Sequence, residues 1–416
     1  MTPYQPHRVW IATAAVGAAF LSSCDFDGVT EVDRPRVARA DVTLTFTADS
    51  LPEAAERLGW GSAIPGAEVA LARDGASPED ILTATTDIQG TVRFEDVAVG
   101  RYQVSLSRPF TAEEFEEVRD TGATGAADVF TRSILGPTAE IEIAPLPMLR
   151  RDLVISEYHF NYFFRSGIGT YATGGFLELY NNSDTIIYLD GKLVGRTFDP
   201  VHDATPCDWT TAFRTDPVGV WGQEIQRFPG SGRDFPLEPG QVAVIATDAI
   251  DHSEFIDELL DLSGADFEFS GPAGPDNPGV PNMIDVAEFT NQLGHGIIYN
   301  SLVGIPFVAD AVDLDTVERV RFRDRSYHLL RIPRDRVLDV AAFYTTFPGL
   351  TWCFPFVHRD FNRREAPYIP DGEGSWLTSI NRKVALVLPD GRKVLQHTRN
   401  SETDFSVGER TPGWIP

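Results

Sequence analysis

One stretch, from residue 153 to residue 191, constrains the fold of this chain more than any other. It holds three short apolar segments, 153–155, 176–180 and 186–189, separated by polar or glycine-rich residues. In the middle segment Leu177 and Leu179 alternate with Glu178, which predicts a half-buried strand with Glu178 on the outer face. Asn, Ser, Asp and Gly, which favour turns, follow the second and third segments. The stretch therefore predicts the opening of an antiparallel β-sandwich.

The same residues carry a resemblance. The segments ISE, ELYNNSD and YLDG resemble the start of a lamin-tail-like domain. More closely, the chain from about 150 to 416 resembles a family of uncharacterised bacterial lipoproteins built around such a domain, and further matching segments include FPLEPGQ at 235–241 and IATDAIDH at 245–252. The resemblance implies an immunoglobulin-like sandwich with long loop insertions, and it implies no enzymatic activity.

A separate domain is predicted over residues 41–147. Val42, Leu44 and Phe46 alternate with threonines, and further alternating segments follow. The segment PGAEVAL and the later TTDIQGTVRFEDVAVGRYQVSLS resemble the carboxypeptidase regulatory-like, or prealbumin-like, β-sandwich, which is usually a structural or adhesive module. A capping-box pattern at 111–114 predicts a short helix to about Asp120. The expected fold class is thus all-β, with two β-sandwich domains.

The first 24 residues have the features of an export signal. A weakly basic start precedes an apolar run, 9–21, that is too short to span a bilayer as a helix. The run ends in Leu-Ser-Ser-Cys, which resembles the bacterial lipobox, and this resemblance implies that Cys24 becomes the lipidated first residue. Residues 25–40 are interpreted as a tether. We expect a lipid-anchored protein of the cell envelope, with the outer membrane preferred; the alternative is a secreted protein with an incidental cysteine.

The two remaining cysteines, Cys207 and Cys353, are predicted to form a disulfide. The chain has 3 cysteines, and an exported protein meets an oxidising environment in which disulfides persist. The bridge would close a long loop, worth about 4 kcal/mol in the chain-entropy model. The alternative is a pair of buried free thiols.

Charge and motifs exclude several functions. With 61 acidic against 35 basic residues, the net charge is −26, and such a field disfavours nucleic-acid binding. The sequence lacks the Gly-x-Ser-x-Gly, His-Glu-x-x-His and Gly-x-x-x-x-Gly-Lys motifs. We therefore expect no catalytic residue, no cofactor and no metal site.

Two acidic features leave an alternative open. The stretch 248–268, with Asp248 and His252, has ligands suited to calcium, but an acidic surface loop is the favoured interpretation. Glu157 and Glu178 occupy neighbouring predicted strands and could form a glycosidase pair. Polar residues that alternate outward from a half-exposed sheet explain them more simply.

Long excursions between strands, at 158–175, 196–234 and 355–378, are where we predict the functional surface, because long ordered loops are commonly functional. The first candidates for binding anchors are aromatic: Tyr162, Phe163, Phe164, Trp209 and Trp221. The predicted function is that of a non-enzymatic cell-envelope lipoprotein that acts as a binding or accessory module with a protein partner in the envelope. The resemblance implies that such proteins often work beside an outer-membrane receptor. The alternatives are a hydrolase carried by the second domain and a carbohydrate- or calcium-binding adhesin, for which a shallow aromatic groove would be the evidence.

Overall fold

The structure is a computed structural model, and the residues it describes are 38–159, 163–165, 169–171, 173–197, 212–270, 276–286, 305–321, 328–345, 357–363, 366–369 and 377–415. From Arg39 onward the chain forms one compact unit. Cys24, Cys207 and Cys353 lie outside the described residues, so the lipidation and the disulfide remain predictions.

Alternating apolar residues build the first pair of sheets. Its elements are β1 Arg39–Phe46, α1 Pro52–Arg57, β2 Glu68–Arg73, β3 Leu82–Thr85, β4 Thr91–Ala98, β5 Gly100–Pro109, α2 Ala112–Val118, β6 Ala123–Ile134, β7 Thr138–Ile143 and β8 Leu146–Leu149. One sheet has the order β4-β1-β7 and the other the order β3-β2-β5-β6-β8. A single buried cluster combines side chains of both sheets, such as Leu44 and Val104. The two sheets therefore pack face to face across one core.

The predicted helix after Pro109 is confirmed. The Thr111 side chain accepts a hydrogen bond from the Glu114 backbone N–H, and the Glu114 side chain accepts one from the Thr111 N–H. This reciprocal capping satisfies two donors that a helix start leaves unpaired. The helix buries Phe115 and Val118 and ends there in a 3-10 turn.

The remaining elements are the strands of the second pair of sheets, the strands of several two-stranded sheets and a short helix. These are β9 Leu153–His159, β10 Phe163–Arg165, β11 Gly169–Tyr171, β12 Phe176–Asn181, β13 Ile187–Tyr188, β14 Leu193–Thr197, β15 Gly219–Arg227, β16 Pro236–Leu237, β17 Val242–Ala246, β18 Phe267–Glu268, β19 Ile284–Asp285, β20 Pro306–Ala309, β21 Arg319–Arg321, β22 His328–Pro333, β23 Val337–Val340, β24 Tyr344–Thr345, β25 Tyr368–Ile369, β26 Thr378–Arg382, β27 Val384–Val387, β28 Lys393–Leu395, α3 Ser401–Asp404 and β29 Phe405–Glu409. One large sheet has the order β18-β17-β12-β9-β26-β29; the other has the order β21-β22-β15-β14-β20-β23, with β19 beside β15. Leu177 and Ile155 from the first meet Val194 and Val308 from the second in one buried cluster. The all-β sandwich fold class is confirmed.

The prediction that β12 is half-exposed is wrong. All six residues from Phe176 to Asn181 are buried. Leu177 and Leu179 face the core between the two large sheets, while Glu178, on the opposite face, is covered by the chain around Gly413. Sequence alternation reports which residues share a face, but it does not report whether a distant segment covers the polar face.

Residues 251–254 carry a helix-capping pattern, Asp-x-x-Glu, but residues 251–260 form no α-helix. The chain makes a 3-10 turn at His252–Glu254, preceded by Asp251, whose carboxylate accepts a hydrogen bond from the Ser253 N–H. This capping interaction satisfies only one of the first donors of a helix and does not extend the helix. The N–H groups of Phe255 and Ile256 bond back to the His252 carbonyl, and the turn ends there.

A hairpin near the end of the chain connects the two cores. Leu386 of β27 and Val394 of β28 belong to the first core. The next residue of β28, Leu395, packs with Val154 and Tyr180 of the second pair of sheets. Because successive residues of a strand point to opposite sides, this one hairpin buries apolar surface against both.

Candidate functional site

The predicted aromatic anchors are only partly visible. Tyr162 and Trp209 lie outside the described residues. Phe163 and Phe164 belong to β10, which pairs with β11 in an antiparallel hairpin. Their side chains also lie outside the described part of the structure. The predicted excursion after His159 thus contains a short hairpin of its own.

Trp221 is a buried residue. Its side chain is 6% exposed, and its indole N–H donates to an Asp216 carboxylate oxygen at 2.8 Å. Phe213 packs edge-on against its ring, with centroids 5.2 Å apart. This ring therefore has an apolar and a polar partner within the fold and offers little surface to a ligand.

An exposed tryptophan lies elsewhere, at Trp414, and the sequence analysis did not select it. Its side chain is 60% exposed. It closes a four-residue turn, Thr411-Pro412-Gly413-Trp414, in which the Trp414 N–H donates to the Thr411 carbonyl at 3.0 Å. Gly413 has φ +85°. Proline at the second position and a left-handed glycine at the third are the requirements of a type II turn.

Two buried glutamates hold this turn. Glu157 accepts hydrogen bonds from the Thr411 N–H at 2.9 Å and from its hydroxyl at 2.8 Å. Glu178 accepts one from the Gly413 N–H at 2.6 Å. The two residues are directly paired across β9 and β12. We call this arrangement the glutamate clasp; it fixes the backbone that presents Trp414.

Burial perturbs both carboxyl groups of the clasp. Glu157 is 1% exposed and Glu178 is 0% exposed. Burial raises the pKa of Glu157. For Glu178, burial is also the largest cause and the nearby Glu157 charge adds to it, so that the pKa rises to about 8 despite hydrogen bonds from Ser156 and Gly413. The expectation that these residues face solvent is wrong, because the turn at 411–414 covers them.

Trp414 stands at the edge of an open groove of about 690 Å³. We call it the Trp414 groove; it is lined by Tyr180, Asp266 and residues 240–242, 390–393 and 413–415. The Lys393 ammonium lies 5.4 Å from the centre of the indole ring. Gln241, Asp266 and Asp390 are exposed along it. An aromatic face thus lies beside amide, carboxylate and cationic side chains.

The walls of the groove are held by the fold. The buried Tyr180 hydroxyl donates to the Lys393 carbonyl at 2.6 Å. The Arg392 guanidinium is fixed by Asp390 at 2.7 Å and by Asp184 at 2.9 Å. These contacts join strands and turns that are distant in sequence, and they make the groove rigid. A rigid surface binds a ligand with a lower entropy cost.

The acidic stretch 248–268 forms no visible metal site. The His252 ring donates from Nε2 to the Asp248 carbonyl oxygen at 2.9 Å, and its Nδ1 lies 2.5 Å from the Tyr171 hydroxyl. Both ring nitrogens are thus engaged within the fold, and burial lowers the pKa of His252. Among the described residues no group of three or more His, Cys, Asp or Glu could hold a metal ion.

The signal for Trp414 was present in the sequence as Pro-Gly followed by an aromatic residue. Pro-Gly predicts a turn, but a turn alone does not predict a fixed one. The clasp residues lie 254 and 235 positions earlier in the chain. No local pattern could have connected them to this turn.

In the described part of the chain, no helix has the length and apolar character needed to cross a membrane.

Comparison with known proteins gives a family match and a structural likeness that spans most of the chain. The family described as "Protein of unknown function (DUF4876)" matches residues 238–412. A crystal structure of a DUF4876 family protein from Bacteroides thetaiotaomicron has a TM-score of 0.52 and 17% identity, and the alignment covers 91% of this chain and 98% of that one. At this identity the likeness concerns the fold alone.

Other likenesses are much weaker. A DUF3823 family protein from Bacteroides uniformis has 10% identity over 71% of this chain and 96% of that one, with a TM-score of 0.17. The major pilin subunit of Bacillus cereus has 16% identity over 26% of this chain and 29% of that one, with a TM-score of 0.18. Neither score carries an argument. No curated protein matches the chain. The family match and the Bacteroides thetaiotaomicron structure together support a relation to an uncharacterised bacterial family, DUF4876.

Proposed function

We propose that this protein is a non-enzymatic binding protein of the bacterial cell envelope, and that its ligand is an oligosaccharide held in the Trp414 groove. The observation that carries the proposal is an exposed indole on a turn that two buried glutamates fix in place. An indole face suits the C–H face of a sugar ring, since it is large, apolar and rigid. The polar side chains around it supply hydrogen bonds to hydroxyl groups.

The arrangement favours binding over hydrolysis. Glu157 and Glu178 are the paired carboxylates that a glycosidase would need, but both are buried and accept hydrogen bonds from the turn. In this proposal they are positioning residues for Trp414. Lipid on Cys24 holds the protein at the outer membrane. A protein partner in the envelope contacts the same bound oligosaccharide.

The groove is tested by calorimetric titration of the purified full chain, in detergent, with a panel of bacterial and host oligosaccharides. Trp414→Ala is expected to lower the affinity for a bound oligosaccharide about 30-fold, corresponding to about 2 kcal/mol for a central aromatic anchor. Ile88→Ala is the matched control, because Ile88 is 79% exposed and lies in the turn between β3 and β4. Equal affinity of the Trp414 variant and the wild type would remove the groove from the proposal.

Two further measurements test the non-enzymatic assignment and the lipid anchor. Incubation of the bound oligosaccharides with the protein should leave them intact; release of products, abolished by a point mutation, would contradict the non-enzymatic assignment.

Expression in a host that processes lipoproteins should give a membrane-bound product, and Cys24→Ala should release it. Membrane association that survives this substitution would contradict the lipid anchor.

A further inference from the structure

A second cavity, independent of the Trp414 groove, lies beside β23. Its volume is about 170 Å³, which is close to that of a cavity that holds a small aromatic molecule. Three arginines line it, Arg151, Arg334 and Arg399, together with His397. These residues come from three different places in the chain, since His397 and Arg399 are two positions apart. Such a concentration of cations is unexpected in a protein with a net charge of −26.

The carboxylates that line the cavity have cations of their own. Asp339 is buried against Arg382, whose Nη2 is 2.5 Å away. Asp360 pairs with Arg334 at 2.6 Å. Asp335 is exposed and lies 3.6 Å from Arg336, which does not line the cavity. The acidic lining is thus largely balanced before the remaining arginines are considered.

Arg151 and Arg399 remain without such partners. Among the residues that the structure describes, neither guanidinium forms a salt bridge, and Arg151 Nε is buried without a hydrogen-bond partner. Burial lowers the pKa of Arg399, and repulsion by Arg151 and Arg334 lowers it further against the attraction of Asp360. Two partly buried cations that repel each other are costly unless an anion lies between them.

His397 adds a second, independent observation. It is 4% exposed, and its Nε2 lies 3.2 Å from Asp339 Oδ1. Its other ring nitrogen, Nδ1, is buried without a hydrogen-bond partner among the described residues. A buried polar atom without a partner costs free energy that a ligand atom can recover. Because this ring lines the cavity, it completes the polar lining around Arg151 and Arg399.

The backbone of Arg399 has an unfavourable conformation of the kind often found at binding sites. Arg399 has φ +60°, a left-handed conformation that is uncommon for a residue with a long side chain. Strain of this kind persists where the surrounding structure enforces it, and it concentrates at ligand sites. Here the Arg399 carbonyl accepts a hydrogen bond from the Arg363 N–H at 2.8 Å, which helps to hold the unusual backbone that directs the guanidinium.

We infer that this cavity is a binding site for a small oxyanion, held by the guanidinium groups of Arg151 and Arg399 and contacted by Nδ1 of His397. Guanidinium groups bind carboxylate and phosphate through paired N–H donors. A neutral Nδ1 accepts a hydrogen bond, so that an anion with an adjacent hydroxyl group satisfies both the arginines and the histidine. A phosphate carrying a proton and a hydroxyl-bearing carboxylate, such as a sugar acid, share this chemistry.

The test is calorimetric titration of the purified full chain with inorganic phosphate, D-glucuronate and, as the uncharged counterpart, D-glucose. At least one of the two anions should bind with a Kd of about 1 mM or lower, and glucose should not compete for the site. Binding of phosphate alone identifies a phosphate site; binding of glucuronate alone identifies a carboxylate site. Binding of neither anion overturns the inference.

Arg399→Gly separates anion binding from folding. Glycine adopts the left-handed backbone without strain, so that the thermal unfolding midpoint should be unchanged or higher while anion affinity falls at least tenfold. Arg151→Gln should lower affinity by a similar factor. Arg336→Gln removes the same charge just outside the cavity and should leave affinity unchanged, as should Trp414→Ala. An equal loss of anion affinity in Arg336→Gln and Arg399→Gly would show that only the net charge of the protein matters, and it would overturn the proposed site.

Discussion

At the scale of single residues, Glu178 links protonation to folding. Its folded pKa of about 8 lies above the ordinary value of 4.5. The folded chain therefore keeps a proton on Glu178 between these pH values, where the unfolded chain has lost it. A state that binds more protons is favoured at lower pH, so that this group's contribution to stability decreases as pH rises from about 4.5 to 8.

Glu178→Gln should remove that pH dependence. The amide oxygen can still accept from the Gly413 N–H, and the amide carries no charge to bury. We expect urea unfolding of the wild type to show a loss of up to about 1.4 kcal/mol per pH unit from this residue, and the variant to show a flatter profile between pH 5 and pH 8. Glu53→Gln, at an exposed position of α1, should retain the wild-type slope. Equal slopes in Glu178→Gln and the wild type would contradict the assignment.

At the scale of elements, the turn at 411–414 is rigid because its backbone geometry and its hydrogen bonds agree. Gly413 supplies a positive φ, which costs other residues about 1 kcal/mol or more, and its N–H is the donor to Glu178. Loss of the geometry would therefore weaken the clasp, although neither glutamate had changed.

Gly413→Ala tests this coupling. We expect a loss of about 1 kcal/mol in stability, faster hydrogen exchange at the amides of residues 413 and 414, and weaker oligosaccharide binding. Gly61→Ala is the matched control, since Gly61 has φ +64° and nothing within 4 Å of an added Cβ. It should lose similar stability and retain wild-type affinity. A Gly413 variant with unchanged exchange and affinity would show that the turn does not depend on this glycine.

The elements also show which features could be predicted from the sequence alone. Alternation predicted β1, because Val42, Leu44 and Phe46 are buried on one face by neighbours in the first pair of sheets. The capping box predicted α2, because its hydrogen bonds span only three residues. The clasp could not be predicted, since its partners are brought together by the order of strands in a sheet. For the same reason the three arginines of the second cavity carried no signal in the sequence.

At the scale of the whole molecule, Asp184 joins parts of the chain that are far apart. Arg119, Arg150 and Arg392 all lie within 3.2 Å of its carboxylate. Hydrogen bonding by Arg150, followed by the other arginines, lowers its pKa from 3.8 to about 2. A carboxyl group with a lowered pKa adds stability above its ordinary pKa, and this stability is lost as pH falls through about 2.

Asp184→Asn should therefore destabilise the protein at pH 7 and reduce its sensitivity to acid between pH 4 and pH 2. We expect a loss of only about 1 kcal/mol, because the side chain is 38% exposed and water screens it. Urea titrations at pH 7, 4 and 2.5 measure the effect. Asp335→Asn, whose side chain is 78% exposed beside a single arginine, should change little. An acid profile identical to that of the wild type would rule out this role for Asp184.

The pairing of β1 with β7 has a mechanical consequence. These strands are parallel neighbours, in register from Asp41 and Thr138 to Phe46 and Ile143. Tension that enters the chain at Arg39 and leaves beyond Ile143 would pull them lengthwise past each other, so that their hydrogen bonds carry the load together. Force spectroscopy through these two points should give a higher rupture force than peeling β4 from β1; equal forces would contradict this. If the protein is tethered at its amino-terminal end, its first sandwich is then built as a shear-resistant link.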